Sequence, residues 1–158
     1  MTIVSGKFQS VVLPLIMLVI ATLPPYLALG YIEPKLWPRI ARTGVTLVAT
    51  LLFVCAAGIF FSTMSRKTAT SVAATYVLVV LTCVLSLVGL LAPDSFSTTV
   101  LQRVFVVNPV VTMLAEVALP SLRENYELWL PNLRFLLVSS VVLLVLATLR
   151  MRMLVRPR

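Results

Sequence analysis

The chain has 158 residues, of which 60% are hydrophobic and 11% charged, with a formal net charge of +8 and no histidine. A soluble domain carries about 25% charged residues to cover its surface, so this composition excludes a soluble globular fold and indicates an integral membrane protein. Cations that flank apolar segments set topology and touch anionic lipid head groups, so the positive balance is not read as a nucleic-acid surface.

In chain order, the first uncharged run extends from Phe8 to Ile32. It far exceeds a signal-peptide core of about 7–15 residues, so it is expected to remain as a first span at approximately 11–32. Pro24 and Pro25 remove helical hydrogen bonds and predict a kink toward its far end. Residues 33–43, "EPKLWPRIART", combine two prolines, a tryptophan and three cations, the pattern of a short interfacial connection. A second uncharged run, Thr43 to Ser65, ends at the pair Arg66–Lys67, and a third runs from Thr68 to Pro93. Both exceed the length of about 20 residues that a crossing helix needs, and they predict spans at 43–65 and 68–92.

Beyond Asp94 the pattern changes. The uncharged piece from Val104 to Ala115 is short, and Asn108–Pro109 divides it. It falls well below the length of about 20 residues required for a crossing, so 98–127 reads as an outer re-entrant or interfacial pair of short helices. The last uncharged run, Phe135 to Leu149 between Arg134 and Arg150, is also shorter than a crossing helix. Extended back to Leu128, with both arginines snorkelling, it forms a last span at 128–149. The expected fold is therefore all-α: a single membrane domain over 1–158, with four transmembrane helices and short re-entrant helices before the last.

An even number of spans puts both termini on one side. The tail carries Arg150, Arg152, Arg156 and Arg158, the densest basic cluster in the chain, and the positive-inside rule makes that side cytoplasmic. Arg66–Lys67 then falls on the same side and acts as a topological pin. Seven cations lie inside on this arrangement and six outside, while all five acids, Glu116 among them, fall outside. The expected location is the inner or plasma membrane of the cell.

The chemistry the chain lacks narrows its function. Cys55 and Cys83 sit in uncharged runs and read as small packing residues. Without histidine or a Cys-x-x-Cys pair, zinc, haem and redox sites have no ligand set, and no cofactor is expected. No span centre holds a charge, which disfavours an ion-coupled carrier. No phosphate-binding loop is present, so ATP binding by that route is excluded. An enzyme is not expected. Gly58 with Ser62, and Ala69 with Ala73, have the spacing of helix-packing pairs.

The order of these features resembles the permease subunits of ATP-binding-cassette exporters of the type-2 class, over their carboxy-terminal two-thirds. "SGKFQSVVLPLIMLVIATLPPYLAL" is similar to the end of the family's first cytoplasmic loop and its third helix. "LLFVCAAGIFFSTMSRKTATSVAATYVLVV" resembles the family's small-residue helix, basic pair and Thr-Ala-Thr opening of the fifth helix. "VFVVNPVVTMLAEV" is similar to the Asn-Pro region of two outer re-entrant helices, and "ELWLPNLRFLLVSSVVLLVLATLRMRM" to the final helix and basic tail. The resemblance implies an ATP-driven export role, a cytoplasmic ABC ATPase as partner, and a second permease subunit completing the pathway. The family's first two helices and most of the loop carrying its coupling helix have no counterpart here, so a carboxy-terminal part or a split subunit is expected. The alternative is a non-transport four-span scaffold or assembly protein, which shares the composition without requiring a re-entrant segment.

Overall fold

The computed structural model describes residues 26–28, 30–65, 67–84, 97–117 and 127–155, with isolated positions at 17, 20, 24 and 87. Among them the chain is helical, without strands. A 3₁₀ turn, Pro34–Leu36, leads into α1 (Trp37–Met64). Then follow α2 (Thr68–Val84), α3 (Thr98–Val107), α4 (Pro109–Val117) and α5 (Trp129–Val155).

The prolines of 33–43 open a helix and do not mark a linker. Pro34 starts the 3₁₀ turn and Pro38 stands in the first turn of α1, where a missing N–H costs nothing because no intrahelical acceptor awaits it. Helix α1 consequently starts at Trp37, ahead of the expected boundary at 43. Helix α5 likewise continues past 149, taking Arg150 and Arg152 into its last turns.

Two elements are long and apolar enough to cross a membrane, Pro34–Met64 and Trp129–Met153, or three if the bent pair α3–α4 counts as one span. Four crossings are therefore not seen among the described residues. The expected first span, 11–32, lies largely outside them, and of the expected third, 68–92, only the 17 residues of α2 form a described helix. The apolar helices point to membrane association.

Helix α1 is the central element, packed against α2, α4 and α5. Its buried face carries Thr46, Ala49, Phe53, Ala56 and Ala57, mostly small side chains that let helices approach closely in an apolar solvent. The Gly58–Ser62 and Ala69–Ala73 pairs do not serve this purpose. Ser62, Ala69 and Ala73 are exposed, and nothing lies within 4 Å of a Cβ built on Gly58. Ala49, Phe53 and Leu136 form one core cluster, with Val54, Leu78, Leu133 and Leu143 around it. Leu101, Phe105, Val111, Ala115 and Leu128 form a second, under the bent pair.

Helices α1 and α5 run in the same direction. Trp129 meets Arg42 near both amino ends, while Ala49 and Phe53 cluster with Leu136 and Leu143 further along. The α1–α2 turn and the Arg150–Arg152 segment therefore lie toward the same end of the bundle, and Arg42 toward the other. Lys67 is exposed in that turn. Arg66 lies outside the described residues.

Candidate functional site

Helices in an apolar medium must satisfy every backbone polar group internally. Most hydroxyls here do so within their own turn: Thr43, Thr50, Thr75 and Ser140 each donate to the carbonyl four residues back, at 2.6–3.0 Å. With their protons committed locally, these residues are poor candidates for ligand binding. Among the described residues, the polar contacts that reach across elements gather around Arg42 near the amino ends of α1 and α5 and at the break between α3 and α4.

The two helices bend by 101° at that break. Pro109 has no N–H for the carbonyl of Phe105, which instead accepts from the N–H of Asn108 at 3.2 Å. The Asn108 side-chain oxygen accepts from the N–H of Val110 at 2.8 Å and of Val111 at 3.4 Å, an asparagine N-cap followed by proline at the first helical position. Because Val110 is turned to the cap, the carbonyl of Val106 loses its ordinary i+4 donor. The Asn132 side chain, from the first turn of α5, supplies one at 2.7 Å. The amide nitrogen of Asn108 meanwhile donates to the carbonyl of Cys83, in the last turn of α2, at 2.9 Å. Both asparagines are fully buried.

Thr112 and Glu116 follow Asn108 at i+4 and i+8, on one face of α4. Thr112 donates to the carbonyl of Asn108 at 3.1 Å. Glu116 has a side chain only 5% exposed, facing Nη1 of Arg42 at 3.7 Å from α1. The Arg42 guanidinium lies 5.4 Å from the ring centroid of Trp129, a cation–π distance. The carbonyl of Arg42 accepts from Nε1 of Trp129 at 3.3 Å and from the hydroxyl of Thr46 at 3.0 Å. Arg42, Glu116 and Trp129 thus tie α1, α4 and α5 together. Two buried acceptors in this region, Oε2 of Glu116 and Oδ1 of Asn132, have no hydrogen-bond donor.

Of the residues singled out in the sequence, Asn108 and Pro109 are brought into this seam. Lys67, Arg150 and Arg152 stand toward the opposite end of the bundle. Nothing local in the sequence groups Arg42, Glu116, Trp129 and Asn132 into a cluster; the one signal is the i+8 spacing of Glu116 from Asn108, which marks a polar stripe. Among the described residues no group of three or more acids or cysteines is arranged to hold a metal ion. Cys55 and Cys83 are free and half-buried.

No protein-family model, characterised protein or solved structure matches this chain.

Proposed function

We propose that this chain is a membrane permease subunit, or the carboxy-terminal part of one, in an ATP-driven exporter of the ABC type. The observation that supports this reading is the helix pair folded back on itself before the last span, with the carbonyl freed at its break supplied by that span. Transport proteins keep broken helices where protein or a cavity satisfies the backbone. By helical rise, the far ends of α3 and α4 are only about 18 Å apart, well short of the ~30 Å hydrocarbon core. If α1 and α5 cross in the same direction, the chain between them must return once. Assigning that return to α2 leaves the bent pair and the start of α1 on the outer side and the end of α5 in the cytoplasm; the expected span at 11–32, outside the described residues, would then carry the amino terminus to the cytoplasm as well.

ATP hydrolysis then belongs to a separate cytoplasmic ATPase, and a second permease subunit completes the pathway. Co-purification of the full-length product from its native membrane tests this. The expected result is stoichiometric recovery of a phosphate-loop ATPase whose activity copurifies with the chain. Recovery of the intact membrane complex without any ATPase would overturn the reading.

One observation favours the alternative, a non-transport scaffold. The groove between α1 and α5 is lined by apolar side chains alone, unlike a hydrophilic pathway. The same co-purification separates the two, since a scaffold would recover integral membrane partners and no ATPase.

A further inference from the structure

Helices α1 and α5 leave an open groove of ≈ 480 Å³ along one side, lined by Ala41, Gly44, Val48 and Leu52 from α1 and by Leu133 and Leu137 from α5. From Ala41 to Leu52 it follows α1 for about 16 Å, which is half of the ~30 Å hydrocarbon thickness and so the depth of one leaflet. The lining has no polar group to reward a hydrophilic ligand. The ends differ sharply. Beside Ala41 is Arg42, and beside Leu133 is the exposed Arg134, while Trp129 stands one turn before Leu133, in contact with Arg42.

We propose that this groove is a binding site for an anionic phospholipid, one acyl chain lying along α1 and α5 and the phosphodiester at Arg42. Arginine presents five N–H donors in a fork suited to phosphate oxygens. Arg42 is 47% exposed, and its 3.7 Å approach to Glu116 is longer than a hydrogen bond, so its N–H donors are not committed to that carboxylate. The Glu116 carboxylate lies on the buried side and steadies the guanidinium without covering it. Trp129 at the same level has the position of an interfacial aromatic. A second copy of the chain docking by two-fold symmetry would bring Arg42 and Arg134 toward their own equivalents, an arrangement that like charge opposes. This assignment depends on membrane location and not on the export reading.

Gly44 provides the test. A Cβ built on it meets nothing within 4 Å, so Gly44→Leu fills the groove without disturbing the packed faces. The full-length chain, purified in mild detergent, is titrated with phosphatidylglycerol or phosphatidylcholine, and retained lipid is counted by native mass spectrometry. One phosphatidylglycerol per chain is expected, held in preference to phosphatidylcholine. Gly44→Leu should lower retention about tenfold with an unchanged unfolding midpoint, and Arg42→Gln should abolish the head-group preference while Arg42→Lys keeps part of it. If Gly44→Leu unfolds the chain, Val48→Phe replaces it as the filling variant. Wild-type retention in the folded filled variant would overturn the proposal. So would displacement of the lipid by millimolar inorganic phosphate, which would reduce the site to an anion contact. A filled variant that converts a dimer to a monomer would assign the groove to a second copy instead.

Discussion

Asn132 donates its side-chain amide to the carbonyl of Val106 across 2.7 Å and 26 residues of chain. The bond replaces the helical donor that Val106 loses when Val110 turns to the cap of Asn108. The break between α3 and α4 is therefore completed by a residue from a different helix, and α5, long and apolar enough to cross a membrane, is also the closing part of the bent pair.

Replacing Asn132 with alanine should leave the half-buried Val106 carbonyl without this donor, at a cost of about 1–3 kcal/mol. Thermal unfolding in detergent measures the loss. Hydrogen exchange should rise specifically at 105–111, and unchanged protection there would show that another donor reaches Val106.

Asn108 performs two separable tasks. Asn108→Ser keeps a neutral capping oxygen for the N–H groups of Val110 and Val111 but is too short to reach Cys83, whereas Asn108→Ala loses both. The alanine variant should therefore be the less stable, with the cap alone accounting for about 0.5–2 kcal/mol. Equal stability of the two variants would assign the whole effect to the Cys83 bond.

The Arg42–Glu116 pair should show coupling. Arg42→Met leaves a nearly buried carboxylate without its cation, while Glu116→Gln leaves an arginine that is half in solvent. The arginine variant should be the more damaging, and the double variant should recover part of the loss, with a coupling energy of about 0.5–3 kcal/mol. Strict additivity in a double-mutant cycle would mean that the 3.7 Å approach carries no interaction.

Topology is open to direct labelling. With Cys55 and Cys83 removed, a single cysteine at Ser97 should react with an impermeant thiol reagent on intact cells, and one at Ser65 should not. Ser65 lies beside the α1–α2 turn and Ser97 immediately precedes α3. Labelling at 65 and not at 97 would invert the orientation proposed for the whole chain.

The run lengths made the two long helices legible in the sequence, and Asn108–Pro109 made the bend legible, because proline and an N-capping asparagine act within one turn. Helix boundaries were harder. Pro34 and Pro38 look alike in a linker and in a helix start, and Arg150 and Arg152 look like a tail although the backbone continues helical through them. The Arg42–Glu116–Trp129 cluster was largely hidden, since its members come from three helices and the 87-residue separation of Trp129 from Arg42 leaves no local signal. Only the Asn108–Thr112–Glu116 stripe could have been seen in advance.

The same 87-residue separation imposes an order on biogenesis. At ribosomal rates of about 5–20 residues per second, α1 waits roughly 4–17 s after Arg42 is made before Trp129 exists. Throughout that interval the Arg42–Trp129 contact cannot form, and the carbonyl of Val106 stays unmatched for as long as Asn132 remains unsynthesised. A chain stopped before α5 is thus chemically distinguishable from a finished one. The polar defect of such a chain would sit at the bend, where the Asn132 side chain closes it in the finished protein.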